Sequence, residues 1–328
     1  PAPARDRRDA PVTPDRPDPA APAALLDGLK GRDCPVCGAP ERGARPFLSA
    51  SIDPARIGAL SFASRKPPEY MSFRLVRCGS CETVYAAEAP SAEALAHAYR
   101  QAGYDSAEEA RFAARAYAEA LAPHLRPEHR GGTALEIGAG SGIFLRDLQR
   151  LGFAEVIGVE PSHAAAEAAP ADIRPHLRIG VFEPGDHAPG SLSLVCCFQT
   201  LEHVTDPRAL TRAAFDLLRP GGLVAFVTHD YRAPINRLLG RRSPIIDIEH
   251  MQLFCPASLD RLLGEAGFVD IAIRAIRNRY PLRYWLRLLP LPGPLKPIAL
   301  ATAEALGLGG CGAALDVGNL LSVARKPG

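Results

Sequence analysis

Two pairs of cysteines stand at the spacing of metal ligands. Cys34 and Cys37 flank Pro-Val, and Cys78 and Cys81 flank Gly-Ser. Each C-x2-C pair can direct two thiolates at one ion, so the four cysteines predict a closed tetrahedral Zn²⁺ site in a zinc ribbon. A closed site leaves no coordination position for a substrate, and its expected role is structural. The alternative, two thioredoxin-like redox motifs, lacks the surrounding strand–helix–strand pattern.

A glycine-rich loop with two acidic partners predicts a nucleoside site. Gly138, Gly140 and Gly142 lie between a predicted strand and a predicted helix, with the spacing G-x-G-x-G and not the G-x-G-x-x-G of dinucleotide sites. Glu136, two residues before the loop, would repel a phosphate and suits a cationic amino-acid group. Glu160 ends the next predicted strand, where a carboxylate can hold both hydroxyls of an unphosphorylated ribose. The expected ligand is a nucleoside with a positively charged amino-acid tail.

At these residues the sequence resembles the class I S-adenosylmethionine (SAM) dependent methyltransferases of type 11/23. The resemblance continues in the segment CFQTLEHVTDP from Cys197, which matches the family's segment after strand 4, and in LRPGGLV from Leu218, which matches the turn before strand 5. It covers about residues 131–276 and the final strand. It implies an α/β fold with a seven-stranded Rossmann-like sheet and an enzyme that transfers the methyl group of SAM.

The resemblance also implies which residues bind the cofactor. Two of these assignments have an ordinary alternative, since Phe182 could be a core residue and Thr200 could only begin the next helix. The expected contacts are Glu136, Gly138, Ala139 and Gly140 at the methionine end, Glu160 at the ribose, Pro161 and Phe182 at the adenine, and Gln199 and Thr200 beside the sulfonium.

Two histidines are candidates for the base that an acceptor hydroxyl needs. His250 lies in Ile-Glu-His-Met-Gln-Leu-Phe, which resembles the Tyr-x-Glu-His-x-x-x-Phe stretch of the sugar C-methyltransferases. Asp247 occupies the tyrosine position and the large C-terminal domain of those enzymes is missing, so O-methylation is favoured over C-methylation. His203 is the second candidate, and its alternative role is a structural hydrogen bond at a helix start.

The cysteine module predicts the kind of acceptor. The stretch from Arg77 to Ala87 resembles sugar and polysaccharide-associated methyltransferases in which a four-cysteine module covers the acceptor pocket. The basic residues of the module that lie nearest to one another in the sequence are Arg65, Lys66, Arg74 and Arg77. This group is small for a surface that must bind several phosphates of RNA. We therefore expect a small-molecule acceptor, most simply a hydroxyl of a nucleotide- or lipid-linked sugar. The alternatives are an RNA methyltransferase that uses the ribbon to bind RNA and a catalytically silent SAM-binding protein.

A basic segment near the end of the chain predicts a phosphate site. Arg279, Arg283 and Arg287 follow one another at spacing four, which would place them on one helical face, and Arg237, Arg241 and Arg242 could add to them. The expected ligand is the phosphate of the acceptor; the alternative is a solvated face on a lid helix. The neighbouring Leu-Pro run also permits peripheral contact with a membrane surface.

The chain that must position these residues has 328 residues and a net charge of +2. Hydrophobic residues make up 47% of it and charged residues 23%, as in soluble globular proteins. Without an apolar run of 18 residues or a secretory leader, we expect a cytoplasmic protein. The predicted organisation is a disordered tail (1–30), the zinc ribbon (31–90), a helical linker (91–130) and the methyltransferase domain (131–328). Residues 230–256 and 277–318 form its acceptor side, the second as a helical lid, and the four isolated cysteines are expected in the core. The sequence does not set the oligomeric state.

Overall fold

The computed structural model describes residues 25–58, 60–63, 66, 68–104, 107–289, 291 and 293–328. Most of the predicted tail, residues 1–24, lies outside the described residues. The tail prediction is wrong for residues 25–30, because Leu25 is only 2% exposed and belongs to an apolar cluster. Lys30–Gly31 then pairs antiparallel with Glu88–Ala89, so this segment is held against the cysteine module.

Thirteen strands and nine α-helices are formed by the described residues, in an order that alternates after residue 131. The strands are β1 Lys30–Gly31, β2 Arg45–Leu48, β3 Leu75–Arg77, β4 Val84–Ala86, β5 Glu88–Ala89, β6 Thr133–Ile137, β7 Glu155–Glu160, β8 Leu177–Ile179, β9 Leu192–Phe198, β10 Leu218–His229, β11 Gln252–Leu253, β12 Val269–Pro281 and β13 Gly312–Arg325. The helices are α1 Ala92–Arg100, α2 Ala107–Leu121, α3 Ile143–Arg150, α4 His163–Glu167, α5 Pro207–Leu217, α6 Pro234–Leu239, α7 Pro256–Ala266, α8 Leu282–Leu288 and α9 Leu295–Ala305.

The large sheet has seven strands in the order β12-β13-β10-β9-β6-β7-β8. The five strands from β10 to β8 in this order are parallel, and β13 runs antiparallel to both β10 and β12. All seven residues of β9 are buried, as expected for a central parallel strand covered on both faces. The predicted α/β Rossmann-like fold with a seven-stranded sheet is confirmed, and the carboxyl ends of β6, β7, β9 and β10 meet along one edge.

Two of the helices that flank this edge, α5 and α3, are fixed in different ways. Asp206 accepts a hydrogen bond from the backbone N–H of Ala209 (2.9 Å) and so caps α5. Helix α3 begins directly after the glycine loop, and Phe144, Leu145 and Leu148 form its buried face. Because α3 is fixed against the sheet by this face, the loop that precedes it has a defined position.

The cysteine module is continuous with the methyltransferase fold. Its four-stranded sheet has the order β11-β4-β3-β2, and β11 comes from the C-terminal half of the chain. The buried guanidinium of Arg32 donates to the carbonyl oxygens of Ala86 (2.8 Å), Thr205 (3.0 Å) and Met251 (2.6 Å) and so joins the two halves. The boundary predicted at residue 90 therefore separates segments that share one sheet and one core.

The segment predicted as a helical lid is only partly helical. Strands β12 and β13 pair outward as far as Pro281 and Gly312, and only α8 and α9 lie between them. The cause is a burial pattern of period two, in which Arg277 and Arg279 are exposed while Asn278 and Tyr280 are buried. Arg279 therefore lies on a strand, and the predicted helical face shared with Arg283 and Arg287 is wrong.

Three of the four isolated cysteines lie in the core, as expected. Cys196, Cys197 and Cys255 are fully buried, whereas Cys311 is exposed next to the start of β13, which corrects its predicted placement. In the described part of the chain, no helix has the length and apolar character needed to span a membrane.

Candidate active site

A cavity of about 750 Å³ opens at the carboxyl edge of the sheet. Its volume is in the upper part of the range for small-molecule sites, about 300–1,000 Å³. The described residues that line it include both candidate bases, His203 and His250, but none of the three candidate substrate arginines. Every predicted cofactor residue contributes to its wall: Glu136, Gly138, Ala139, Gly140, Glu160, Pro161, Phe182, Gln199 and Thr200.

The glycine loop requires its glycines. Gly138 and Gly140 have φ angles of +75° and +56°, a region that residues with a side chain rarely adopt. A Cβ atom at Gly138 would also lie 2.6 Å from Cγ2 of Thr200, so the loop passes directly against the segment after β9. The backbone N–H groups of Gly138 and Ala139 donate to the carbonyl oxygen of Val159 (2.9 and 3.0 Å), which fixes the loop to β7.

Glu160 ends β7 beside this loop and faces the cavity. Its Oε2 accepts from the backbone N–H of Gly140 (2.7 Å) and its Oε1 from that of Ser162 (2.8 Å). Burial raises the pKa of Glu160, and these two donors act in the opposite direction. Since a carboxylate oxygen has more than one acceptor site, each oxygen can still accept from a ribose hydroxyl.

Two further cofactor candidates have conformations that suit a ligand site. Gln199 has a φ of +50° and donates its backbone N–H to Val227 (2.7 Å), so a non-glycine residue holds a strained conformation at the junction of β9 and β10. Phe182 is half-buried and its ring lies near that of His187, with centroids 6.3 Å apart and planes 24° apart. Phe182 is therefore a cavity-wall residue with an accessible face.

Three histidines form a cluster beyond the glycine loop. The ring centroids of His250 lie 4.9 Å from His203 and 5.4 Å from His229. His250 donates through Nδ1 to the carbonyl oxygen of Ile245 (2.9 Å), and His229 donates through Nδ1 to the amide oxygen of Asn319 (2.8 Å). Because these oxygens only accept, both rings carry the proton on Nδ1 and keep Nε2 as a proton acceptor.

Burial keeps these imidazoles neutral. It lowers the pKa of His250 well below 6.5, and it lowers the pKa of His203 and that of His229 to about 4. The neighbouring histidines add to the shift at His250. A neutral imidazole with an available Nε2 is the form that can accept a proton at pH 7.

His203 is held more tightly than His250. Its Nδ1 lies 2.8 Å from the hydroxyl of Tyr99 and 3.1 Å from the carbonyl oxygen of Glu249. These contacts fix the orientation of the ring, which then packs against His250. The geometry therefore favours a positioning role for His203 and leaves His250 as the stronger candidate for the base.

A buried charge network lies beside the histidines. Lys66 Nζ is 2.8 Å from Glu69 Oε2 and 3.2 Å from Asp247 Oδ2. Burial raises the pKa of Glu249 to about 8, although Lys66 opposes the shift. Asp247 thus binds Lys66 at the position where the sugar C-methyltransferase pattern has tyrosine.

The segment between β12 and β13 supplies an aromatic wall. The centroids of Tyr280 and Tyr284 are 4.6 Å apart, and that of Trp285 lies 5.1 Å from Tyr280. All three line the cavity. Arg283 instead forms an ion pair with Glu108, and Arg287 lies 3.7 Å from Glu109, so both arginines are directed toward α2.

The sequence reasoning missed His229, Lys66 and the aromatic wall. His229 is the last residue of a parallel strand, and side chains at the carboxyl ends of such strands commonly reach a ligand, so a signal for it was present. The wall was missed because its residues come from a strand and a helix, Tyr280 from β12 and Tyr284 and Trp285 from α8.

The four cysteines of the two C-x2-C pairs come together. Their sulfur atoms all lie within 4.8 Å of one another, with 3.5 Å between those of Cys34 and Cys81 and 3.6 Å between those of Cys37 and Cys78. Zn–S bonds of about 2.3 Å at tetrahedral angles separate sulfurs by about 3.8 Å. The donor set therefore fits a zinc ion.

Comparison with known proteins places this chain in a family. A family model described as a methyltransferase domain matches residues 106–273, more than half of the chain. A ubiquinone biosynthesis O-methyltransferase from Neisseria meningitidis serogroup C is 35% identical over 159 residues, which are 44% of this chain and 66% of that protein, slightly less than two thirds of its length. The protein of the same name from Albidiferax ferrireducens is 37% identical over 183 residues, covering 50% of this chain and 70% of that protein.

Among solved structures, a SAM-dependent methyltransferase from Thermotoga maritima, described as a possible histamine N-methyltransferase, is 21% identical, with a TM-score of 0.44; the match covers 66% of this chain and 91% of that chain. That similarity is too low to inform the choice of acceptor. The match of the family model, together with the relative from Albidiferax ferrireducens, shows that the chain belongs to the class I SAM-dependent methyltransferase family.

Proposed function

We propose that the protein transfers the methyl group of SAM to a hydroxyl group of a small-molecule acceptor. The observation that carries this proposal is that one cavity contains both the glycine loop with Glu160 and the neutral His250 with its available Nε2. The first group suits a nucleoside with an amino-acid tail. The second suits an acceptor that must lose a proton.

A few residues of the cavity have specific tasks in the proposed reaction. When bound, SAM supplies an electrophilic methyl group, whose bond to sulfur breaks as the acceptor oxygen forms the new C–O bond. Glu160 would hold the ribose and the loop around Gly138 would hold the methionine end, which would fix the position of the methyl group. His250 accepts the hydroxyl proton at Nε2, while the Ile245 carbonyl oxygen stabilises the protonated ring through Nδ1.

A sugar hydroxyl remains the proposed acceptor, with other small-molecule hydroxyls as the wider class. The aromatic wall of Tyr280, Tyr284 and Trp285 suits the apolar face of a ring. The two relatives described above are named O-methyltransferases, which supports a hydroxyl acceptor. The RNA alternative is weakened because Arg74 is paired with Glu88 (2.6 Å) and Glu41 (3.2 Å) and so has less capacity for phosphate.

The cysteine cluster is proposed to hold a structural Zn²⁺ ion. The Cys78→Ser variant should contain no bound zinc, whereas the wild-type protein should contain about one ion per chain, as measured by elemental analysis after dialysis. Because the ion connects two distant loops, we expect its loss to lower the melting temperature by about 5–10 °C. Cys311→Ser, at an exposed cysteine outside the cluster, should change neither quantity. Equal zinc content in the two variants would contradict the assignment.

The activity should persist below the usual pKa of histidine. Burial lowers the pKa of His250 well below 6.5, so this base stays deprotonated as the pH falls through 6.5 and is protonated only at lower pH. The acidic limb of the kcat profile is therefore expected below pH 6.5, measured as methyl transfer at constant ionic strength. A loss of half the activity at or above pH 6.5 would show that the base is a solvated group instead.

Incubation of the purified protein with methyl-tritiated SAM and a crude cell extract tests the proposal. We expect the label among small soluble molecules or lipids. Label in the nucleic-acid fraction would instead support an RNA methyltransferase that uses the cysteine module as its grip. If no methyl transfer occurs but the protein still binds S-adenosylhomocysteine (SAH), the product form of the cofactor, a catalytically silent SAM-binding protein is favoured.

A further inference from the structure

A second cleft, of about 740 Å³, lies between the cysteine module and the segment after β10. It adjoins the catalytic cavity through two shared wall residues, and it was not predicted from the sequence. Among the described residues, its wall contains four arginines and no carboxylate: Phe47, Leu48, Arg77, Tyr231, Arg232, Asn236, Arg237, Gly240, Arg241, Ser243, Ile245 and Ile246.

Three of these arginines have no ion-pair partner among the residues that the structure describes. Arg232 forms an ion pair with Glu82. Within the described part of the chain, Arg77, Arg237 and Arg241 take part in no ion pair or side-chain hydrogen bond. Arg237 and Arg241 are exposed and Arg77 is half-buried, so their charges are available to an anion that enters the cleft. The chain as a whole carries a net charge of only +2, so this concentration is local.

The arginines converge from separate elements. Arg77 ends β3 and directly precedes Cys78, so the metal knuckle would fix its position. Arg237 lies on α6 and Arg241 on the turn that follows it, and both line the same cleft as Arg77. Guanidinium groups that approach from two sides can bind several oxygens of one phosphate through paired N–H donors.

The rest of the wall is mainly apolar, and two of its residues also line the catalytic cavity. Phe47 is 40% exposed and meets the ring of Tyr231 edge to face, with centroids 5.7 Å apart. Asn236 and Ile245 line both the cleft and the cavity, and the carbonyl oxygen of Ile245 is the one that accepts from His250. A ligand that contacts Ile245 in the cleft would therefore touch a residue that is hydrogen-bonded to the candidate base.

We infer that this cleft binds a phosphate or diphosphate group, and that this group is the anionic end of the methyl acceptor. The inference rests on the proposed function for the identity of the ligand as an acceptor, but the anion site itself does not. The sequence predicted the phosphate site at Arg279, Arg283 and Arg287, but these residues line neither cavity. The inferred site is instead formed by Arg77, Arg237 and Arg241.

Calorimetric titration of the full chain with inorganic pyrophosphate, at constant ionic strength, tests the anion site. The double variant Arg237→Ala/Arg241→Ala should weaken pyrophosphate binding by at least about tenfold, because it removes two charged donors. The matched control Arg277→Ala/Arg279→Ala removes the same charge from an exposed strand and should bind as the wild type does. Arg77→Lys keeps the positive charge but loses the paired N–H donors. Its affinity for pyrophosphate should therefore lie between those of the wild type and the double alanine variant, and this test remains valid if the alanine variant folds poorly.

Titration with SAH in parallel separates this inference from the proposed function. Normal SAH binding with no pyrophosphate binding, or with equal loss in both double variants, would overturn the inference alone. Failure to bind SAH would count against the proposed function. Uridine diphosphate and farnesyl diphosphate, titrated separately, distinguish a nucleotide-linked from a lipid-linked source of the group. The tritiated product should bind to an anion exchanger and lose that retention after acid hydrolysis, and a product that does not bind would contradict the acceptor assignment.

Discussion

Replacement of His250 by alanine is expected to lower kcat for methyl transfer by about 10²–10⁴-fold, the usual contribution of a positioned general base. The expectation rests on the hydrogen bond between Nδ1 of His250 and the Ile245 carbonyl oxygen, which leaves Nε2 as the acceptor inside the cavity. SAH affinity should change little, because His250 is not part of the loop proposed to bind the methionine end. The measurement is kcat at saturating SAM, together with SAH affinity by calorimetry.

Two further variants make this result specific. His176→Ala removes a histidine that does not line the cavity, and it should retain wild-type kcat. His229→Ala removes the neighbour 5.4 Å from His250, and a smaller decrease is expected because the ring of His250 keeps its own carbonyl partner. If His250→Ala keeps turnover near the wild-type value while His229→Ala abolishes it, the base is His229.

Replacement of Glu160 by alanine is expected to raise the dissociation constant of SAH by about 100-fold or more. Hydrogen bonds to a charged group contribute about 1.5–3 kcal/mol each, and the two carboxylate oxygens would each accept from one ribose hydroxyl. The variant also removes the acceptor for the backbone N–H groups of Gly140 and Ser162, so the loop loses part of its support. Calorimetric titration of SAH measures the change.

Two control variants accompany Glu160→Ala. One changes another glutamate on the same strand, and the other replaces Glu160 with a side chain of the same shape. Glu155→Ala changes an exposed glutamate at the opposite end of β7 and should leave SAH affinity unaltered. Glu160→Gln keeps the shape and one acceptor oxygen, so its affinity should be intermediate. SAH affinity that is unchanged in Glu160→Ala would remove Glu160 from the site.

Local patterns were sufficient to predict that the candidate cofactor residues lie together. The three glycines, Glu136 and Glu160 lie within about 25 residues of one another, on a strand, a loop and the next strand. In a parallel sheet the carboxyl ends of successive strands meet at one edge, so the order of elements alone brings these residues together. The cysteine pairs were predictable for a similar reason, because each C-x2-C pair fixes half of its site locally.

The acceptor end depends on contacts between distant segments. His229 is oriented by Asn319, and these two residues meet only because β10 and β13 pair antiparallel with that register. Lys66 reaches Asp247 across 181 positions of the chain. No local spacing contains such information.

The arginines show how an incomplete pattern misleads. The spacing of four between Arg279, Arg283 and Arg287 matches a helix, but the alternation around Asn278 and Tyr280 matches a strand equally well. Pairing with β13 decides in favour of the strand as far as Pro281. Arg77 and Arg237, which do share a cleft, come from separate elements far apart in the chain.

A crystal structure of the full chain with SAH would test the proposed methyl transfer most directly. We expect the ribose hydroxyls to bind Glu160 and the amino-acid end to lie against Glu136 and the loop from Gly138 to Gly140. The sulfur should face the part of the cavity that contains His250. SAH bound elsewhere, or bound in this cavity with its sulfur directed away from His250, would contradict the proposed methyl transfer.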